Sequence, residues 1–562
     1  KKFVGNNTKW LIESDGNGWG GHDGNPLNPI AATKTTIDFM EVAKKVYVIV
    51  VGGGHNGLIC ANYLAKSGKK VLVLETRDAP GGCAATSEIH PGFKVSSCAQ
   101  WLDLLNPSVI QELNLKEHGL EFAAENLITI GLNSEGNHVF LSHDSVDGKN
   151  ISDEDKSAYI DFKVKMLKYA KLLNKVFESR APKLVEHNWT DRITLAKLAL
   201  GMKLLGKEDM NDLMRLILIN IYDVMEESFE NPNLKALISF DGVLGGYMGP
   251  RSPNTVFNFL YKLVGETYGY RGSSQIKGGM GALGEALAAS AKDAGVEIRL
   301  NSRVAKINKT GSRVSGVTLD DGEIIHSNLI VSNADPFTTF NNLLGLRNIE
   351  AGMARRVTQI RRKSGTAKLH LALDTAPNFS GLDSNQMAQR LLIAPDMNYI
   401  ERAFNAVKYS EYSNNPAIDI SISSLNDEGL APSGKHVLSA IVQYAPYDPE
   451  GGWDAHRDVF AKSIIDLIEQ YAPGISKSVL SYQLVTPKDL ESNYGMTGGQ
   501  WHHVEMTLDQ VLMMRPFPGA SQYGVDVDGL YLCGAGTHPG GGLMGLAGKN
   551  AATEIIKRGS EA

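Results

Sequence analysis

Residues 46–75 read VYVIVVGGGHNGLICANYLAKSGKKVLVLE, and the interpretation of this stretch decides the fold. Val46 to Val51 is an apolar, β-branched run of strand length, and Leu58 to Lys66 carries helix formers before Gly68 stops them. VLVLE then reads as a second buried parallel strand, which makes the whole a βαβ unit. Gly52, Gly54 and Gly57 fall in G-x-G-x-x-G register. The first glycine allows the tight turn, the second lets backbone approach a pyrophosphate, and the third packs helix on strand. The helix N-terminus faces the phosphates with unpaired N–H groups. Glu75 ends the second strand at the ~20-residue offset expected of a carboxylate that accepts from ribose hydroxyls, and it disfavours a 2′-phosphate, hence NADP. A dinucleotide is therefore expected here.

Composition bounds what surrounds this unit. At 562 residues the chain exceeds one ordinary domain, and a net charge of -6 gives no electrostatic reason to expect nucleic acid. Cys60, Cys83, Cys98 and Cys533 show no C-x-x-C spacing, so neither a structural metal nor a disulfide framework is expected. The most apolar helical stretch, LMRLILINIYDVMEE, is interrupted by Arg215 and Asp223, so no membrane span is expected.

After Glu75 the chain continues TRDAPGGCAATSEIHPGF, with Arg77 and the pair Gly81 and Gly82. Near the C-terminus stands YLCGAGTHPGGGLMGLAGKNAATEII. In these segments the sequence resembles the phytoene desaturase-like FAD-dependent oxidoreductases, within the wider flavin superfamily that includes the amine oxidases. GGGLMG resembles most the subgroup named after a pyridine nucleotide-disulphide oxidoreductase domain. The resemblance runs, with gaps, from about Val46 to the C-terminus, and it implies FAD. It implies that Arg77, Gly81 and Gly82 lead the backbone along the flavin, and that the backbone of Val304 meets the adenine. Gly534 and Gly536 would lie in the flavin loop, with a helix opening near Met544 or Gly545 and aimed at the flavin ring. His503, in GQWHHVEM, occupies a family position, and His538 lies inside the flavin loop; these two are the candidate catalytic residues. Each has a plainer alternative, as a hydrogen-bonded core or loop-holding histidine. No metal site is expected. Disulfide reductase chemistry, despite the subgroup's name, would need a redox cysteine pair and a second nucleotide site.

A second G-x-G-x-x-G register at Gly279, Gly281 and Gly284 is dismissed, because YRGSSQIK before it does not read as a buried strand and no acid ends VEIRL. By the same resemblance, Asn301 to Asp335 looks like the family's β-ribbon and final strand. The fold expected is α/β: a discontinuous Rossmann-type FAD-binding domain with a mixed-sheet substrate domain and a helical insert. Its segments are a polar N-terminal extension (1–45), FAD-binding parts at 46–150, 276–335 and 516–562, the helical insert at 151–275 and the substrate domain at 336–515. In the insert, TLAKLALGMKLLGKEDMNDLMRLILINIYDVMEESF has apolar residues at helical spacing and reads as core-facing. The sharper alternative is a membrane-surface helix making peripheral contact, against which stand the acids Glu208, Asp209, Asp212 and Glu226.

The reaction expected is dehydrogenation or double-bond rearrangement of an apolar, polyene or lipid-like small molecule, with hydride passing to flavin N5 and with oxygen or a quinone as electron acceptor. An amine oxidase is the enzyme alternative. The alternative from another class is a non-catalytic FAD-retaining subunit whose N-terminal extension, with its GNGWGGHDGNPLNP run, meets a partner protein. The resemblance implies mitochondria for a eukaryotic source; for a bacterial one the cytoplasm is the default expectation.

Overall fold

The computed structural model describes residues 5–6, 9–10, 48–183 and 188–560. The chain divides into two units, Lys1–Val46 and Tyr47–Ala562. In the first, Gly5–Asn6 and Lys9–Trp10 pair as a two-stranded antiparallel ribbon. The rest of the N-terminal extension lies outside the described residues, and with it the expectation of a partner-binding segment.

The second unit is built on a five-stranded, all-parallel sheet: β1 (Val48–Val51), β2 (Val71–Leu74), β3 (Glu297–Arg299), β4 (Leu329–Ser332) and β5 (Leu530–Leu532), in the spatial order β3-β2-β1-β4-β5. Its central strands are buried along their length because helices cover both faces, which is why β1 and β2 read as uninterrupted apolar runs. Helix α1 (His55–Lys66) crosses from β1 to β2, α2 (Gly281–Asp293) leads into β3, and α3 (Leu546–Ser560) follows β5 and packs on α1. The sheet thus gathers strands from three distant stretches of chain. Between β3 and β4 runs the expected ribbon, Val304–Thr310, Arg313–Leu319 and Ile324–His326, antiparallel throughout.

An eight-stranded mixed sheet forms the second layer system, in the order 146–148, 139–141, 129–131, 390–393, 417–421, 436–443, 366–373 and 479–485. Three of its strands come from 129–148, a stretch the sequence places in the first FAD-binding segment; they pair instead with Arg390–Ile393 and with one another. The period of two along each strand sorts its residues to two faces. Leu369, Leu371, Ile418, Ile420, Leu438 and Ala440 face a core closed by Phe460, Ile464 and Ile468 of helix Trp453–Glu469. Lys368, His370, Asp419, Ser439 and Gln443 take the opposite face, buried and polar.

Two further sequence expectations change. Ser273–Ile276, inside the YRGSSQIK stretch, is a strand with all four residues buried. It pairs antiparallel with Phe122–Leu127, outside the parallel sheet, and so still cannot feed a second dinucleotide turn. The glycines after it serve packing: a Cβ on Gly284 would stand 2.7 Å from Gly81 Cα, and one on Gly281 would stand 2.8 Å from Thr86 N. The second change concerns only the first helix of the amphipathic stretch, since Leu213, Leu216, Ile221, Val224, Met225 and Phe229 further along it are buried in the core as expected. Helix Trp189–Leu204 is not core-facing, since Asp191 is its one buried residue, while Trp189 and Leu204 are each 76% exposed. Periodicity counts apolar positions but does not say whether anything covers them.

Candidate cofactor and substrate site

The cofactor candidates converge at the C-terminal edge of the parallel sheet. Gly52 leaves β1 at φ 95°, a conformation open to glycine, and Gly54 caps α1. A Cβ on Gly57 would lie 2.3 Å from Gly52 O, so only a glycine lets α1 sit this close to the turn. Asn333, the residue after β4, places its side chain against all three glycines: an added Cβ would lie within 3.5 Å of it at Gly52, 2.6 Å at Gly54 and 3.1 Å at Gly57. Glu75 is buried, and its Oε2 accepts from the Gly53 N–H at 2.7 Å while Oε1 accepts from the Arg77 N–H at 2.9 Å. One bond to each oxygen leaves lone pairs for hydroxyl donors. The second glycine pair docks on the first turn through Gly81 N–H to Gly53 O at 2.8 Å. Arg77 donates to Gly82 O at 3.0 Å and lies 4.9 Å over the Tyr494 ring, so its guanidinium ties this loop to helix Pro487–Tyr494.

These groups wall a cavity of about 560 Å³. Gly52, Gly54, Glu75, Arg77, Gly82 and Val304 line it, as do His503 and Ala535, the latter between Gly534 and Gly536. Gly57 and Gly81 support it from behind. Met544 and Gly545 do not line it: Met544 is core, its carbonyl accepting from Asn106 N–H at 3.1 Å, and α3 opens at Leu546.

The histidines separate into three settings. His503, at φ 63°, and His55, the residue after Gly54, both line this cavity. His503 Nδ1 and His55 Nε2 are buried with no hydrogen-bond partner among the described residues. Burial pushes the His55 imidazole down to about 4 and lowers that of His503 too, so both stay neutral at pH 7. His502 lines a different, largely apolar cavity of about 160 Å³, with Leu104, Leu244, Met248, Ile441 and Leu543. His538 lines neither. Its Nε2 lies 3.1 Å from Val176 O, its ring meets Phe177 edge-on, and burial pushes it down to about 4. The sequence missed His55, His502 and Asn333; only His55, embedded in the glycine turn, carried a local signal.

Cys83 also lines the cofactor cavity, and it packs with Cys98, Leu490 and Met496 although the two cysteines are far from C-x-x-C spacing. Among the described residues no group of three or more His, Cys, Asp or Glu side chains could hold a metal ion, and no helix is long and apolar enough to cross a membrane.

This architecture and glycine cradle define an FAD-dependent oxidoreductase, and the chain belongs to the flavin containing amine oxidoreductase family, whose model matches residues 57–556. It is 34% identical to the pyridine nucleotide-disulfide oxidoreductase domain-containing protein 2 of Rattus norvegicus, over 91% of this chain and 93% of that protein. It is 26% identical to a limonene dehydrogenase subunit from Castellaniella defragrans, over 92% of this chain and 96% of that protein. Among solved structures, cyclohexylamine oxidase from Brevibacterium oxydans superimposes with a TM-score of 0.55 at 16% identity, over 92% of this chain and 99% of that one. A putrescine oxidase A394C variant gives 0.59 at 14% identity, over 92% and 99%. At such identities the structural likeness speaks for the fold alone.

The chain's own residues fit FAD. The Gly54 position is a cradle that a side chain would fill, Glu75 retains acceptor capacity, and two residues lining the cavity, His55 and His503, each carry a buried ring nitrogen without a protein partner among the described residues.

Proposed function

We propose that this flavoenzyme dehydrogenates, or isomerises a double bond in, a small molecule with a largely apolar body. The observation that carries the reading is the adjacency of two cavities: consecutive residues His503 and His502 face the cofactor cavity and an apolar cavity respectively. When bound, FAD supplies a two-electron acceptor for hydride from a substrate carbon. The protein's part is to bind, orient and desolvate. Glu75 would accept from the ribose hydroxyls, the Gly52–Gly57 turn would admit the pyrophosphate, and Val304 would flank the adenine. His55 and His503 each hold a single ring proton and offer a neutral hydrogen bond. Leu104, Leu244 and Ile441 exclude water from the reacting carbon. His502, pushed down to about 3 by burial, is too weak a base to abstract a proton at pH 7, and His538 stands outside both cavities. Neither histidine is called on as a base, which suits direct hydride transfer from a substrate carbon. The names of the limonene dehydrogenase relative and of the phytoene desaturase of Pantoea ananas, 26% identical over 90% of this chain, support the same class.

Amine oxidation remains the enzyme alternative, favoured by Tyr247, Trp101 and Trp501 around the apolar cavity. A structural flavoprotein is the alternative outside catalysis. Anaerobic photoreduction followed by oxygen or quinone challenge tests the reading: rapid reoxidation by one of them is expected, and a flavin that neither reoxidises supports the structural role. Residence in mitochondria, for a eukaryotic source, is part of this proposal, as is the cytoplasm for a bacterial one. So is peripheral contact with a membrane through helix Trp189–Leu204, whose Ile193 and Leu200 are 53% and 56% exposed beside Arg192, Lys197 and Lys203. Flotation with anionic vesicles, lost in Trp189→Ser, is the expected result.

A further inference from the structure

The apolar cavity beside the cofactor has two chemically different ends. One carries Trp501, His502, Gly542 and Leu543, next in the chain to His503 on the cofactor cavity. The other shares Asp103, Asp241 and Lys262 with a further cavity of about 90 Å³ that reaches His143, Lys163 and Glu266. At this partition Lys262 Nζ lies 2.7 Å from Asp241 Oδ1 and 3.8 Å from Asp103 Oδ2. Arg390 bridges Asp241 Oδ1 and Asp419 Oδ2, both at 2.8 Å. Three carboxyl groups therefore face two cations that are already engaged. Asp103 keeps the longest of these contacts, and burial pushes its carboxyl up.

Two more acceptors stand on the same wall. Gln100 Oε1 and Asn258 Oδ1 are buried without a hydrogen-bond partner among the described residues, and both residues line the apolar cavity. The Gln100 amide is held in one sense because its Nε2 donates to Asp419 O at 3.3 Å, which leaves Oε1 as the atom without a partner. Gln100 is only 7% exposed. Asn258 precedes Lys262 by one turn of helix Thr255–Thr267, so the two share a face and Asn258 belongs to the same end of the cavity. A donor that reached these acceptors would pair what a hydrocarbon leaves unpaired, a gain of about tenfold or more in affinity for each group.

We propose that the substrate is an amphiphile carrying a hydrogen-bond donor, a hydroxyl or an amine, at the end remote from the reacting carbon, and that Asp103, Gln100 and Asn258 receive it. This rests on the assignment of the apolar cavity to the substrate, and it separates this chain from relatives named for pure hydrocarbons. The three-to-two excess of carboxyls over cations disfavours a carboxylate or phosphate at that end. The donor end, not the apolar body, then sets which carbon reaches the flavin.

The test uses the FAD-loaded protein and four probes of equal length, octanol, octylamine, octanoate and octane, followed through the perturbation of the flavin absorbance spectrum. Octanol and octylamine should bind about tenfold or more tighter than octane and octanoate. The preference should collapse in Gln100→Leu and Asn258→Leu, with flavin content checked to show that each variant has folded. Where either variant fails to fold, the four-probe ranking on the unaltered protein decides alone. Octane or octanoate binding as tightly as octanol overturns the inference while leaving the oxidoreductase reading intact, because photoreduction and reoxidation test that reading separately. Absence of any spectral response to all four probes also overturns it.

Discussion

Gly54→Val offers the sharpest test of the cofactor turn. Gly54 sits at φ -68° and ψ 166°, an extended conformation that valine adopts without strain, so any effect must come from space. Its Cβ would meet Asn333 Nδ2 at 2.6 Å, the end of a side chain that can swing aside, and the nearest backbone atom is Gly82 Cα at 3.9 Å. The apoprotein should therefore lose no more than about 1 kcal/mol. The branched side chain would nevertheless occupy the cradle in which the pyrophosphate is to lie, and a fall in FAD affinity of about a hundredfold, or ~2.7 kcal/mol, is expected. Gly57→Ala is the informative contrast. There the obstacle is the Gly52 carbonyl oxygen at 2.3 Å, which is backbone and belongs to the turn itself. Overpacking of this kind costs about 1–3 kcal/mol, offset by ~1 kcal/mol of gained helix propensity, so this variant should lose both apoprotein stability and FAD. The assay is urea unfolding of the stripped proteins beside FAD titration by fluorescence quenching. A Gly54→Val protein that binds FAD as tightly as the parent would refute the reasoning, and so would equal losses of apoprotein stability in the two variants.

Three further outcomes are expected. His55, His502 and His538 are held neutral by burial, at about 4, about 3 and about 4. Below the unfolded value of ~6.5 the unfolded chain binds protons that the native chain refuses, so stability present at pH 7 should drain away as pH falls from ~6.5 towards ~4. A flat denaturation midpoint across that range would refute this. His538→Gln should lower flavin retention or thermal stability while changing flavin reduction per bound FAD by less than about tenfold; a slowing of ~10²-fold at full occupancy would make His538 catalytic after all. Arg390→Met should destabilise by about 3–5 kcal/mol in urea melts, because it leaves Asp419 without a cation in the interior while Asp241 keeps Lys262, and Arg390→Lys should not rescue it since an ammonium lacks the fork that spans both acids.

The cofactor half of the molecule was legible in the chain because its logic is local. Two apolar strands, a glycine turn, a helix and Glu75 lie within thirty consecutive residues, and each rule they obey concerns neighbours in sequence: the turn at Gly52, the close packing at Gly57, the acid closing a strand. The resemblance carried this further, to Arg77, Val304 and the loop at Gly534. Expectations that depended on what lies opposite fared differently. The strand Ser273–Ile276 went unrecognised because its partner, Phe122–Leu127, is far back in the chain and supplies the burial that its polar sequence does not announce. The helix Trp189–Leu204 looked core-facing because apolar spacing is a property of one helix, whereas coverage is a property of two surfaces.

The substrate end belongs wholly to the tertiary structure. Gln100, Asp103, Asp241, Asn258, Lys262 and His502 come from four separated stretches of chain, and all but His502, in GQWHHVEM, stand outside any motif. What joins them is the eight-stranded sheet, whose alternation turns Asp419 towards Gln100 and Trp101 while its other face is sealed by helix Trp453–Glu469. A carboxylate in sequence is only a charge. It becomes an acceptor in a particular cavity when burial removes its water and fixed neighbours take up some of its lone pairs and leave others free, and that sorting exists only once the whole chain has folded.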